Sequence, residues 1–290
     1  MNSTVIVGGT GTLGKEICRQ LLSENESAMI TVFSRDELKQ QEMKREFPFV
    51  RYFIGDIRDR DSLSRAFRGA GTIFHCAALK HVDVVEENPM EAVKTNVIGT
   101  QNVIDAAIAA RARRVIFSST DKAVAPINVY GHTKAIGERL ILGSNCADLS
   151  THPKFSVFRW GNVVGSRGSV IHAFAKSLRE EGKIRLTEAD MSRFWIRIEC
   201  AVRFMVENSQ ISTGKVMIPP MKAASVLRFA AVVAGLVGVK NYEIEITGKR
   251  PGEKIHETVT EGLSSDHAPQ YSDAELVDLI QPILNFLAAA

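Results

Sequence analysis

The sequence has no apolar run long enough to span a bilayer; its most apolar later stretch, Ser225 to Val239, is short and broken by Arg228. No basic region, apolar stretch of signal length and small-residue cleavage site precede the first strand-like residues, T-V-I-V. Cysteine is scarce. Cys18, Cys76, Cys146 and Cys200 lie far apart, with no C-x-x-C pair and no His at metal-ligand spacing. That excludes a zinc module or disulfide framework and predicts buried thiols in a reducing compartment. Charge of one sign is lacking too: 36 Lys and Arg against 33 Asp and Glu leave a net +3, too mild and too evenly spread to argue for nucleic acid. No internal repeat or low-complexity linker interrupts the chain. Together these absences predict a soluble cytoplasmic protein with no metal, no membrane span and no nucleic-acid partner. What the 290 residues do have is 45% hydrophobic and 24% charged composition, enough for a substantial globular core.

Short β-branched runs alternate with longer helical patterns through the first half: T-V-I-V, M-I-T-V-F, V-R-Y-F-I, T-I-F-H-C and R-V-I-F-S. Segments with apolar residues three and four apart separate them, such as Met90 to Ala110. This rhythm predicts βαβ units, hence an α/β fold with a Rossmann-like doubly wound parallel sheet. K-F-S-V-F-R-W continues the series. From about Gly165 the strands shorten (K-I-R-L-T, K-V-M-I, Y-E-I-E-I). The expected organisation is a dinucleotide-binding domain over 1–164 and a smaller C-terminal substrate-binding lobe over 165–290, with room for segments of the second to return to the first.

After the first strand comes G-G-T-G-T-L-G, which sets Gly8, Gly11 and Gly14 at G-x-x-G-x-x-G spacing and leads into a helix. Glycines let a backbone turn tightly against a pyrophosphate, whose charge suits the N–H groups of a helix N-terminus. Gly8, Thr10, Gly11, Thr12, Leu13 and Gly14 are therefore candidate cofactor contacts. The second strand ends in F-S-R-D-E, where Ser34 and Arg35 stand at the position of the acidic residue that binds a ribose 2′-hydroxyl. A guanidinium there suits a 2′-phosphate and favours NADP over NAD; alternatively Arg35 is a solvated residue and Asp36 caps the next helix. Asp56 and Ile57, closing the third strand, are candidates for the adenine end, although an Asp there also suits a turn.

The stretch S-S-T-D-K-A-V-A-P-I-N-V-Y-G-H-T-K, Ser118 to Lys134, places an acid and a base side by side just ahead of Tyr130 and Lys134. Four residues apart at a helix start, those two share a face. An adjacent ammonium and a cationic nicotinamide would both favour a phenolate, letting Tyr130 take a hydroxyl proton as hydride leaves. Asp121 and Lys122 add a second acid–base pair, or else form a solvated loop ion pair.

These features, with H-C-A-A at His75 to Ala78 and Asn96 in T-N-V-I-G-T, resemble the extended short-chain dehydrogenase/reductase family over nearly the whole chain. The phrases S-R-D-E-L-K-Q, A-A-L-K-H-V, N-P-M-E-A-V-K-T-N-V-I-G-T, S-T-D-K-A, R-W-G-N-V-V-G-S-R-G-S-V, M-S-R-F-W-I and R-P-G-E-K are similar to its soluble UDP-N-acetylglucosamine 4,6-dehydratases, the 5-inverting kind that opens the pathway to pseudaminic acid. The resemblance implies that Asp121, Lys122, Tyr130, Lys134 and Thr120 are catalytic. It also implies that Cys76, Ala77, Ala78, Asn96, Tyr130 and Lys134 meet the cofactor, and that Lys80, Thr120, Asn162, Arg193, Arg250 and Glu253 meet a UDP-sugar. Arg193, Arg250 and Lys254 could clamp its diphosphate, although a surface role suits Arg193 equally. Trp160, Trp195 and His75 read as packing residues. The family implies a homo-oligomer, dimer-based through the helices around Met90–Ala110 and Tyr130–Leu142, with a hexamer left open.

Oxidising the sugar at C4 acidifies the C5 hydrogen; Lys122 can remove it while Asp121 protonates the leaving C6 hydroxyl, making the enzyme a redox-neutral carbon–oxygen lyase. A UDP-hexose 4-epimerase shares the first oxidation but has no use for Asp121–Lys122. A non-catalytic NADP-sensing protein has no use for Tyr130 and Lys134.

Overall fold

The computed structural model describes residues 3–145, 152–166, 170–210 and 214–289. Cys146 and residues 167–169 of the R-W-G-N-V-V-G-S-R-G-S-V stretch lie outside them. The chain divides into two compact units, Met1–Arg159 with Val202–Ile218, and Trp160–Ala201 with Pro219–Ala290.

In the first unit β1 (Ser3–Val7), α1 (Thr12–Glu24), β2 (Ile30–Ser34), α2 (Glu37–Glu46), β3 (Arg51–Ile54), α3 (Arg60–Ala66) and β4 (Ala70–His75) follow one another. Next come α4 (Val82–Glu87) and α5 (Pro89–Ala92), the latter started by a proline whose missing N–H costs nothing at that position. A wider π-helical turn over Val93–Ile98 joins α5 to α6 (Gly99–Ala109), so the stretch expected as one apolar-faced helix changes its winding in the middle. β5 (Arg114–Thr120), α7 (Val129–Gly143) and β6 (Lys154–Trp160) complete the series.

The strands form one seven-stranded sheet in the order β10-β6-β5-β4-β1-β2-β3, where β10 is Val216–Met217. Its direction of growth reverses between β1 and β4, which pair in parallel. Side chains alternate across it: Val5, Ile73 and Val115 pack with Leu63, Val103, Ile104 and Ile141, whereas Ile6, Phe74 and Ile116 are buried by their strand phase on the opposite face. Buried runs of this kind are what a parallel sheet covered on both faces requires.

In the second unit β7 (Asn162–Val164), α8 (Val170–Glu181), β8 (Lys183–Leu186) and β9 (Ser192–Arg197) lead into α9 (Ile198–Asn208), which returns the chain to the first unit. After β10 come β11 (Lys222–Ser225), α10 (Val226–Leu236), β12 (Glu243–Ile246), β13 (Thr258–Thr260), β14 (Leu263–Ser264) and α11 (Asp273–Ala289). β11, β9 and β7 make a three-stranded sheet. Its core gathers Phe174, Leu178, Trp195, Phe229, Val233, Leu276 and Ile280. Trp195 stacks on Phe229 with ring centres 4.0 Å apart, and Trp160 is buried, so both tryptophans pack as expected. The expectation of buried thiols is corrected at Cys200. It is exposed because it falls on the face of α9 opposite Ala201, Val202 and Met205, while Cys18 is buried and Cys76 half-buried. No described helix is long and apolar enough to cross a membrane, and the described residues contain no metal-ligating cluster.

Candidate active site

The loop after β1 lies where the sheet reverses, the position at which doubly wound sheets receive ligands. Gly8 has φ +78°, and a Cβ there would sit 2.7 Å from the backbone nitrogen of Ala77. Only glycine lets the loops after β1 and β4 approach so closely. Gly14, in the first turn of α1, lies against the backbone of Gly9, leaving no room for a side chain. Gly11 caps α1 without a side-chain hydrogen bond, the form of helix start that suits a pyrophosphate. Thr10 is buried, and Thr12 and Leu13 are half-buried beside it.

At the ends of β2 and β3, Ser34 is buried and its oxygens accept from Gln40 Nε2 at 3.0 Å. Asp36 caps α2 by accepting from Lys39 N at 3.0 Å. Arg35 is half exposed and pairs with Asp56 at 3.3 Å. Against the upward push of burial, Arg58 and then Arg35 hold the Asp56 carboxyl below the usual carboxylate range. Arg58, 2.7 Å from Asp56 and 2.9 Å from Glu91, is a second cation that the sequence reading missed. Its position two residues after Asp56 in G-D-I-R was the available signal. Ile57 is buried in the core.

The T-D-K stretch leaves the carboxyl end of β5. Thr120 donates to Asp121 Oδ1 at 3.0 Å and caps a single 3-10 turn, Asp121–Ala123, by accepting from Lys122 N at 3.4 Å. Lys122 Nζ lies 3.1 Å from Asp121 Oδ1; Asp121 is fully buried and the Lys122 side chain is 20% exposed. The pair is therefore turned into the protein. Asn128 caps α7 by accepting from Gly131 N at 2.6 Å. Although Tyr130 keeps part of its surface exposed, the protein around its hydroxyl pushes the phenol up to about 12; Lys122 and a hydrogen bond with Thr120 pull it down, and Asp121 pushes it up. Lys122 is thus a cation acting on the phenol that the Tyr130–Lys134 spacing alone did not point to. Lys134 is 3% exposed, donates to Ser118 O at 2.6 Å and lies 3.7 Å from the centre of the Phe117 ring. Burial lowers its ammonium to about 7, with Glu138 and Cys76 pulling it back up.

Several expected contacts have work inside the protein. Asn96, in the π-helical turn, accepts from Leu79 N at 2.8 Å and donates to Leu79 O at 2.9 Å and Thr133 Oγ1 at 3.0 Å. Its side chain braces the loop holding Cys76, Ala77 and Ala78. His75 is fully buried against Thr100. Lys80 is exposed just beyond. In the second unit Asn162 is half-buried at the start of β7. Arg193 does not fit a direct diphosphate clamp. It is 6% exposed and donates to the carbonyls of Ser192, Ile255 and Lys254 at 2.7, 2.8 and 2.8 Å, so both terminal nitrogens of its guanidinium are engaged inside the protein. Arg250 is exposed, its turn closed by Glu253 N donating to its carbonyl at 3.2 Å, and among the described residues its guanidinium has no ion pair.

Residues 4–277 match the family model described as polysaccharide biosynthesis protein. A UDP-N-acetylglucosamine 4,6-dehydratase (inverting) from Campylobacter jejuni is 40% identical over 98% of this chain and 84% of that protein. A UDP-glucose 4-epimerase from Rickettsia rickettsii is 36% identical over 93% of this chain and 80% of its own length. Among solved structures, Pen from Bacillus thuringiensis superposes with a TM-score of 0.91 at 37% identity, covering 98% of this chain and 97% of that one.

Proposed function

The chain belongs to the polysaccharide biosynthesis protein family, and from that premise we propose that it is an NADP-dependent UDP-N-acetylglucosamine 4,6-dehydratase that inverts C5. The observation that carries the reading is the inward-turned Asp121–Lys122 pair beside Tyr130 and Thr120. The glycine loop and the capless start of α1 fit a pyrophosphate, and Arg35 with Arg58 fits an adenosine 2′-phosphate. When bound, the nicotinamide supplies reversible two-electron oxidation of the sugar.

Tyr130 takes the proton of the C4 hydroxyl, which Thr120 orients. A phenol near 12 is too weak an acid to be ionised unaided at neutral pH. Lys122, Lys134 and the positive nicotinamide therefore share the task of stabilising the phenolate. The C4 ketone then acidifies C5–H. Elimination needs a neutral amine and a protonated carboxyl, and a single proton moving across the 3.1 Å contact from Lys122 to Asp121 produces both. Covering this buried pair with substrate removes water that would favour the charged forms, so the neutral pair gains. Lys122 accepts the C5 proton, Asp121 protonates the C6 hydroxyl as it departs, and reduction at C6 with protonation at C5 leaves a 4-keto-6-deoxy sugar. Lys80, Asn162, Arg250 and Glu253 are proposed substrate contacts, with Arg250 on the diphosphate.

Incubation with UDP-N-acetylglucosamine tests the reading: the product should have lost one water by mass, and its proton coupling constants should report an inverted C5. Lys122→Ala should abolish water loss, by more than about a hundredfold, while the protein still binds NADP. The 4-epimerase reading, favoured by the similarity to the Rickettsia protein, predicts an unchanged mass and a new diastereomer.

A further inference from the structure

Behind the turn that carries Tyr130 and Lys134 lies a charge cluster that no step above uses. Glu138, one turn further along α7, is 6% exposed. Its Oε1 accepts from Ser119 Oγ at 2.5 Å and from Arg159 Nε at 3.0 Å, and its Oε2 from Arg159 Nη2 at 2.5 Å. Such a buried pair gains little net stability, because desolvation offsets most of the Coulomb attraction and apolar residues of similar volume would serve as well. Its position offers a better reason. Successive residues of β5 receive successive contacts from α7: the Phe117 ring lies under Gly137 and under Lys134 Nζ, Ser118 O accepts from Lys134, and Ser119 donates to Glu138.

Building on the reading that Lys134 assists sugar oxidation, we propose that Glu138, clamped by Arg159 and Ser119, is a positioning residue for Lys134. It fixes the register of α7 on β5 that presents the ammonium, and it supplies the buried negative charge that keeps that ammonium protonated. The groups facing Lys134 from each neighbouring element support this. From β4 and the residue after it come His75 and Cys76. Burial and then the Lys134 charge hold His75 down at about 3, and burial pushes the Cys76 thiol up to about 12, so neither is charged at neutral pH. β5 contributes the Ser118 carbonyl and the Phe117 ring, and β6 contributes Arg159 through Glu138. Among the described residues, Glu138 is therefore the anion acting on Lys134 at neutral pH.

Lys134 sits near 7 with Glu138 in place. Without the carboxylate, burial would go unopposed and the proton would be lost at lower pH. Two measurements on the full chain test this: the Lys134 titration, followed by NMR of lysine-labelled protein, and the pH profile of UDP-N-acetylglucosamine turnover. Glu138→Gln should move both the titration and the alkaline fall in activity down by about one unit, a roughly tenfold loss on the alkaline limb, with little loss in acid. Glu138→Asp should restore both. The double variant Glu138→Gln/Arg159→Gln, which leaves no unpaired buried guanidinium, should show a smaller displacement in the same direction even if the single variant does not fold. An unmoved Lys134 titration in the folded single or double variant, or activity lowered equally at every pH, overturns the proposal. A displaced Lys134 titration in a protein that does not act on any nucleotide sugar upholds the positioning role and refutes the dehydratase reading instead.

Discussion

His75 carries its tautomer in its hydrogen bonds. Thr100 Oγ1 donates to Asn96 O at 2.7 Å, so its contact with His75 Nε2 at 3.0 Å requires the ring nitrogen to donate, and Nδ1 is then a buried acceptor with no partner among the described residues. Such a ring resists a second proton. The unfolded chain binds one near 6.5 and the folded chain only near 3, so the unfolded state holds more protons between those values and stability rises with pH across that window. Its share of the slope approaches about 1.4 kcal/mol per pH unit. Replacing His75 with Gln should flatten unfolding free energy against pH between about 3 and 6.5, as urea titrations would report. The arginines make a second contrast. Arg250→Ala should raise KM for the UDP-sugar about tenfold or more with kcat little changed. Arg193→Ala should lower the unfolding midpoint, since it strips donors from three carbonyls. Sequence favoured Arg250 and left Arg193 even between a clamp and a surface role, but could not show Arg193 bonded inside the protein, because two of its three carbonyl partners lie some sixty residues away. The Tyr130–Lys134 spacing was legible for the same reason in reverse, being local to one helix.

α7 is the element on which the site depends. Asn128 caps it, a bond worth about 1 kcal/mol, and Gly131 passes so close to the Lys122 carbonyl that any Cβ would overlap it. Gly131→Ala should therefore push the T-D-K turn and the start of α7 apart. We expect a loss of about 1–3 kcal/mol in stability and a fall in turnover greater than about tenfold, measured by thermal unfolding alongside the water-loss assay. The six main strands and the helices between them were readable from period and punctuation. Two features were not. The π-helical turn over Val93–Ile98 is fixed by Asn96 reaching Leu79 and Thr133, contacts that no periodicity encodes. The two-residue β10 was legible as the strand K-V-M-I, but its place beside β6, about sixty residues earlier in the chain, was not.

Across the whole molecule, Met90, Ile98, Ile108 and Ile136 remain exposed on α5, the π-helical turn, α6 and α7. Apolar surface on these helices supports the proposed homo-oligomer. Ile98→Arg combined with Ile136→Arg should yield a smaller species by sedimentation than the unaltered protein, and an unchanged sedimentation coefficient would remove these helices from the interface. The sheet of the first unit also separates two rims. The glycine loop, the Cys76–Leu79 loop and the T-D-K turn all leave carboxyl ends of strands, whereas residues 25–29, 47–50, 67–69 and 110–113 enter at the amino ends. On that second rim Phe49 is 97% exposed. A dye or a surface tether fixed there would sit a strand's length from the chemistry, making that rim a handle for immobilising the catalyst without disturbing it.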